Sequence, residues 1–347
     1  MVKFRRADVE RMLIGGAAGL VLLLAIRGTQ TGTLGPEPYE EPLDQIPVEQ
    51  TAAIPQGPTQ PTVVYYEDGE GYLVPVQRQI EKQAGIAKAT LALMVQNPAN
   101  DMEAARLGLR NVIPEGTSFG LDIVGGKARV DLGRQALSAT DAGQEANMVS
   151  AMVYALTEFP TVQEVEFLVD GQKRSKLTHG TDISGTMHRQ NLNLESVDAQ
   201  TTLAGSQQVR IYFPSDNGRL LVPVTRTVFS DADVNTAVLE LAKGPRKDSG
   251  LQTPLPGDVG LIDVKVRDGV ATVNFTQEFA RIAEQSDGGQ QALRALVLTC
   301  TQFPGVKQVK VQVNGKDYAL PSTAAQPTFA NVAEVVAQQF PGVVEMD

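Results

Sequence analysis

A stretch of this chain is written twice, and that duplication limits the folds available to it more than any other feature. Val64-Tyr65-Tyr66 followed by Leu73-Val74-Pro75-Val76-Gln77-Arg78 returns as Ile211-Tyr212-Phe213 followed by Leu221-Val222-Pro223-Val224-Thr225-Arg226. Gly126 to Leu132 returns as Gly269 to Phe275, Leu156-Thr157-Glu158-Phe159-Pro160 as Cys300-Thr301-Gln302-Phe303-Pro304, and Val165 to Gly171 as Val309 to Gly315. Two copies of one domain follow, over residues 63–180 and 209–320, with a connector at 181–208.

Within a copy the hydrophobic period changes in a fixed order. Val63 to Tyr66 and Tyr72 to Val76 are β-rich runs around a turn-forming Glu67 to Gly71 stretch, which predicts a hairpin. Ala87, Leu91, Met94 and Val95 fall at helical spacing and predict a helix that stops at Asn97-Pro98. Phe119, Leu121 and Ile123 alternate and lead through Gly125-Gly126 into Ala128, Val130 and Leu132, a second hairpin. Ala146, Val149, Val153 and Leu156 mark a longer helix ended by Pro160, and Val165, Phe167 and Val169 a last strand. The fold class is α+β: two tandem copies of a small sandwich, with helices packed on one face of a small sheet.

The sequence before the repeats has a different character. Residues 1–11 are basic, and no charge occurs from Met12 to Ile26 before Arg27. Positive charge ahead of an apolar run predicts a transmembrane anchor over 12–29, with the N-terminus cytoplasmic and all that follows exported. Fifteen apolar residues span about 22 Å at 1.5 Å each, short of a ~30 Å hydrocarbon core, so Arg11 and Arg27 would snorkel. A cleaved signal peptide and a buried soluble helix are the rivals. Residues 30–62 read as a disordered acidic linker: the stretch from Gly28 to Thr62 holds seven prolines, five acids and no Lys or Arg.

Chemistry-bearing residues are scarce. The chain has 347 residues, one cysteine, two histidines and a formal net charge of -10. A single cysteine excludes an intrachain disulfide, and the acidic balance argues against nucleic-acid binding. Cys300 stands where the first copy has Leu156, so it is read as a core side chain. His179 and His188 lack the spacing of a metal pair and fall near the connector. No catalytic, cofactor-binding or metal set is expected, and no cofactor.

Two features could contact a partner. Arg78 and Arg226 recur after Val-Pro-Val, and could reach a partner or simply hold a salt bridge in each copy. Residues 321–347 form a tail in which Phe329, Val332, Val336 and Phe340 follow helical spacing, with Asn331, Glu334, Gln338 and Gln339 opposite. That predicts an amphipathic helix, docked on the second copy or held between protomers.

The order of these motifs resembles the GerM domain of sporulation and spore-germination proteins. The resemblance rests on the tyrosine-containing first strand, Leu-Val-Pro-Val-x-Arg, Ile113-Pro114-Glu115-Gly116-Thr117, the Gly-x-Ala-x-Val hairpin and the Phe-Pro-x-Val turn, and it covers both copies. The second copy departs from it at Pro254-Leu255-Pro256-Gly257-Asp258. The resemblance implies a ring-building-motif-like core of helix, strand, strand, helix, strand, over residues 87–169 and 234–313. It also implies a membrane-tethered, non-enzymatic scaffold that joins the envelope proteins of a sporulation-type trans-envelope complex, with a homo-oligomer or ring as one form. The alternative is an envelope protein that binds a small ligand or cell wall in a cleft between the copies. No cysteine precedes position 300, which excludes the lipid-modified N-terminus of some family members.

Overall fold

The computed structural model describes residues 57–197, 200–285, 289–319 and 331, and over these the two repeats share their main elements, the first having an added helix before its second hairpin and the second an added short strand at its end. In the first repeat, β1 (Thr59–Glu67) and β2 (Leu73–Glu81) form an antiparallel hairpin with Val64 opposite Val76. There follow α1 (Ile86–Ala92), α2 (Pro98–Arg106), β3 (Phe119–Val124), β4 (Lys127–Leu132), α3 (Ala142–Thr157) and β5 (Glu164–Val169). The second repeat runs β6 (Gln207–Pro214), β7 (Leu221–Val228), α4 (Val234–Lys243), β8 (Leu261–Arg267), β9 (Val270–Phe275), α5 (Gln290–Thr301), β10 (Gln308–Val313) and β11 (Lys316–Tyr318).

In each repeat the last long strand enters the sheet parallel to its neighbour. β5 pairs with β4, Phe167 beside Val130, and β10 with β9, Val311 beside Val273. A parallel return cannot be made by a tight turn and needs a crossover, which α3 and α5 supply. The preceding turns are tight. Gly125 and Gly126 (φ 59° and 85°) close β3 to β4, and Asp268 and Gly269 (φ 50° and 80°) close β8 to β9, positive angles that Gly and Asp tolerate.

The long helices are apolar on more than one face because they are covered on more than one side. α3 packs against both β1 and β5, and α5 against both β6 and β10. Met148, Val149, Met152, Val153 and Leu156 of α3 are all buried, as are Leu293, Leu296, Val297 and Cys300 of α5. Asp141 caps α3 by accepting from the Gln144 N–H at 2.9 Å, and Asp233 caps α4 from the Thr236 N–H at 2.8 Å.

The mixed helix and sheet architecture stands, with differences in detail. Each repeat holds two sheets where one was expected. The hairpin β1-β2 is not hydrogen-bonded to β3-β4-β5, nor β6-β7 to β8 through β11, and the long helix lies between. The first strand starts at Thr59, inside the stretch expected to be linker, because Thr59 to Thr62 pair with Arg78 to Glu81. Asn97-Pro98 does not end a helix but starts one. The Asn97 side chain accepts from the Asn100 N–H at 3.0 Å, and Pro98 sits in the first turn, where its missing N–H has no intrahelical partner to lose. The expected anchor, most of the linker and the tail residues Phe329, Val332, Val336 and Phe340 lie outside the described residues. Asn331, expected on the polar face of a tail helix, is instead buried.

Candidate functional site: the seam between the repeats

The two hairpins meet where β2 packs beside β7. They form no ladder with each other, and the sequence supplies a reason: each strand carries a proline here, Pro75 and Pro223, which offers a carbonyl but no N–H. Two asparagines fill the gap. Asn193, from the connector, accepts the Leu73 N–H on Oδ1 at 2.8 Å and donates from Nδ2 to the Leu73 carbonyl (2.8 Å) and the Pro223 carbonyl (2.7 Å). Asn331 accepts the Leu221 N–H on Oδ1 at 2.7 Å and donates from Nδ2 to the Leu221 and Pro75 carbonyls, both at 2.9 Å. Their main chains act alike: the Asn193 carbonyl accepts the Thr225 N–H at 3.1 Å, and the Asn331 carbonyl accepts the Gln77 N–H at 2.9 Å. Asn193 has φ 51°, a left-handed angle that asparagine tolerates better than most residues. By sequence Asn331 is only a polar-face residue of the tail helix, and Asn193 is not singled out. The available signal was weak: an apolar-Asn-apolar triplet, Leu192-Asn193-Leu194 and Ala330-Asn331-Val332, after each copy.

The connector is tied down elsewhere too. Glu145 of α3 is fully buried, and its carboxylate accepts the N–H groups of His179 (2.8 Å) and Thr181 (2.9 Å). Burial acts to raise the Glu145 pKa, but these bonds outweigh it and hold it below the usual carboxylate value. Beside the seam, Tyr65 donates to Glu158 at 2.7 Å, Arg189 pairs with the same carboxylate at 2.6 Å, and the Arg189 guanidinium lies over the Tyr154 ring at 5.0 Å. Burial and then the Glu158 charge push the Tyr65 pKa well up, so the phenol stays a neutral donor.

Arg78 is engaged within the first repeat, and Arg226 within the second repeat and the connector. Arg78 bonds the Tyr66 hydroxyl at 3.1 Å and Glu103 at 3.2 Å. Arg226 is forked onto Glu195 at 2.8 and 3.0 Å, reaches Glu240 at 3.1 Å, donates to the Gly244 carbonyl and lies over the Phe213 ring. Burial alone would lower its pKa, but the Glu195 and Glu240 carboxylates more than offset this, and it is raised. The structure therefore places the two arginines in separate ion-pair groups.

The histidines are not brought together for a metal. His179 Nε2 lies 2.7 Å from the Ala139 carbonyl, and His188 faces Glu164 at 3.8 Å; no cluster of three His, Cys, Asp or Glu with metal-site geometry occurs among the described residues. The Cys300 thiol is buried and its pKa is pushed up to about 12. A cleft of about 410 Å³ is lined by the β1-β2 turn, α3 and the connector, so it lies within the first repeat and its connector and not between the copies. Several of its polar groups are already bonded: Asn147 to the Gly71 carbonyl, Tyr154 to the Gln190 carbonyl, and Asn193 as above.

The sequence and fold are similar to those of known proteins. The family model for sporulation and spore germination domains, named Germane, matches residues 63–175 and again 210–319. The spore germination protein GerM of Bacillus subtilis (strain 168) is 31% identical over 264 residues, covering 73% of this chain and 71% of the relative. The solved tandem GerMN domains of the sporulation protein GerM from Bacillus subtilis superpose with a TM-score of 0.68 at 29% identity, covering 80% of this chain and all of that structure. With both repeats matched and their order kept, the chain belongs to the GerM family of sporulation and spore germination proteins.

Proposed function

We propose that this chain is a non-catalytic scaffold of the cell envelope, anchored by residues 12–29 with its repeats exported, and that it contributes to a sporulation or germination complex spanning the envelope. The observation that carries this reading is a pair of open sheet edges. β3 and β8 each stand at the end of their sheet, with no strand hydrogen-bonded on the outer side among the described residues. Each presents apolar side chains to solvent: Ile123 (36% exposed) and Val124 (68%) on β3, Ile262 (48%) and Val266 (44%) on β8. Open edges with exposed apolar side chains are templates for strand pairing, and the charges interspersed on them, Asp122 on β3 and Asp263, Lys265 and Arg267 on β8, restrict which strand can add.

The occupant we favour is a second copy of the chain. Within β8 Lys265 already pairs with Asp263 at 3.1 Å, so the complementary charges of an end-to-end join of unlike edges are Arg267 on β8 and Asp122 on β3. Unlike edges make a heterologous contact, which repeats into a ring or an open filament. The order helix, strand, strand, helix, strand, which the second repeat follows over α4 to β10 and the first follows with α2 added after α1, supports the ring-building resemblance.

The test uses full-length protein in its membrane. Carbonate-washed membranes should retain it and detergent should release it; release by carbonate alone refutes the anchor. Cross-linked oligomers should fall at least several-fold in Val124→Lys and Val266→Lys, which place a gatekeeper charge on each edge. Unchanged oligomers in both variants, with the wild-type melting temperature, refute the edge contact.

A further inference from the structure

The bonds made by Asn193 and Asn331 map onto each other atom for atom when Leu73 is exchanged with Leu221, Pro75 with Pro223 and Gln77 with Thr225. That exchange is a local two-fold operation, the relation that defines an isologous interface between identical subunits. We propose that the seam is such an interface carried inside a single chain: the partner surface of each repeat is the other repeat, Asn193 and Asn331 are its paired positioning residues, and the seam opens and closes as one unit.

The chemistry explains why asparagine stands at both places. The seam edge of each hairpin offers a leucine with both N–H and carbonyl and a proline with a carbonyl only. One side chain must therefore accept once and donate twice, in a fixed plane. A carboxamide has that inventory; a carboxylate only accepts, and a hydroxyl has a single proton. The division of labour is the same at each lock. Oδ1 and one Nδ2 bond satisfy the leucine of one repeat, and the second Nδ2 bond crosses to the proline of the other. Each asparagine is also held by its main chain, Asn193 to Thr225 and Asn331 to Gln77, so it bridges both repeats; losing the Nδ2 donor removes the side-chain bond to the proline and weakens the lock while the Oδ1 contact persists. Asn331 is 2% exposed, which leaves no water to replace it. The seam's role holds whether or not the open edges at β3 and β8 take a partner. It also narrows the choice of surfaces, because a third copy would meet no free donor at these leucines or prolines.

Asn→Asp variants of the full-length chain test this, because aspartate keeps Oδ1, keeps the shape and tolerates the left-handed angle at 193, yet turns the crossing donor into an acceptor facing carbonyls. The readout is amide hydrogen exchange at the opposite lock. In Asn331→Asp, the Leu73 amide, whose own acceptor Asn193 is untouched, should exchange about 30-fold faster, equivalent to about 2 kcal/mol at 1.4 kcal/mol per tenfold. In Asn193→Asp the Leu221 amide should do the same, while amides inside α3 and α5 keep wild-type rates in both. Acceleration confined to the amide bonded to the altered residue would show two local contacts and no common seam. Acceleration that includes α3 and α5 would show that the locks serve only overall folding. Either result overturns the proposal. Asn193→Gly, which keeps the backbone angle and deletes the amide, should reproduce Asn193→Asp, and wild-type exchange at Leu221 in it would count equally against the seam.

Discussion

Arg78 and Arg226 occupy equivalent positions of the two repeats, but their surroundings differ enough to give unequal costs of removal. Arg226 makes a two-bond fork to Glu195, a further bond to Glu240 and bonds to main-chain carbonyls, with the three side chains only 14%, 7% and 11% exposed. Arg226→Ala strands two acids in a shielded site. Breaking a buried pair from one side costs about 3–5 kcal/mol; here Arg246, 3.6 Å from Glu195, and Lys243, 2.5 Å from Glu240, compensate in part, so about 3 kcal/mol is the working figure. Arg78→Ala leaves Glu103 with Arg106 at 2.5 Å and frees one tyrosine hydroxyl, a loss of about 1 kcal/mol. At roughly 2–4 °C per kcal/mol for a unit of this size, calorimetry of the full-length chain should show falls of about 6–12 °C for Arg226→Ala and about 2–4 °C for Arg78→Ala. Arg226→Lys should fall between, because an ammonium cannot fork onto a carboxylate. Equal shifts for the two alanine variants, or a larger one at Arg78, would refute the reasoning. An unchanged melting temperature for Arg78→Ala together with weakened assembly would assign that arginine to a partner.

Four further outcomes follow from particular contacts. The depressed pKa of Glu145 means its stabilising effect is fully present above the unfolded value of about 4.3 and is lost as pH falls through the lower folded value, so the protection factors of the His179 and Thr181 amides, taken against the intrinsic rate at each pH, should fall as pH drops below the ordinary carboxylate range. Glu145→Ala, which orphans the same two N–H groups at neutral pH, should lower stability by about 2 kcal/mol by denaturant unfolding. Cys300, buried with its pKa at about 12, should resist a thiol reagent at pH 8 in the native chain and react fully once denatured; native labelling at the denatured rate would contradict the packing. Gly289 has φ 76°, and a Cβ there would meet the Ile282 carbonyl oxygen at 2.6 Å, so Gly289→Ala should cost about 2 kcal/mol, read from thermal unfolding.

The elements legible in sequence were those whose period is set by burial. Val165, Phe167 and Val169 alternate because one face of β5 is inside, and the spacing of Val149, Val153 and Leu156 survives although α3 is covered on two sides. Duplication sharpens these signals, since the position of Cys300 follows from its repeat partner Leu156. Asn97-Pro98 was misread because the same dipeptide suits a helix stop and an N-cap followed by a first-turn proline, and only the Asn100 N–H distinguishes them. The division of each repeat into two sheets was hidden because strand pairing is a tertiary choice that alternation does not record. The seam was hidden more deeply. Asn193 lies outside any periodic segment, Asn331 reads as the polar face of the tail's helical pattern, and their partners are main-chain atoms, which leave no trace in residue identity except at Pro75 and Pro223.

The bond from Asn331 to the Pro75 carbonyl joins residues 256 positions apart. At 5–20 residues per second, roughly 15–50 s of synthesis separate the two ends of that contact. The first hairpin therefore exists for most of the chain's manufacture with its proline edge open and its crossing donor not yet made. During that interval the edge is shaped to accept an asparagine-bearing segment from any copy nearby, including one on a neighbouring ribosome of the same message. Correct pairing in this chain is then a matter of timing as well as complementarity, and slowing elongation between the repeats should raise the share of wrongly joined molecules.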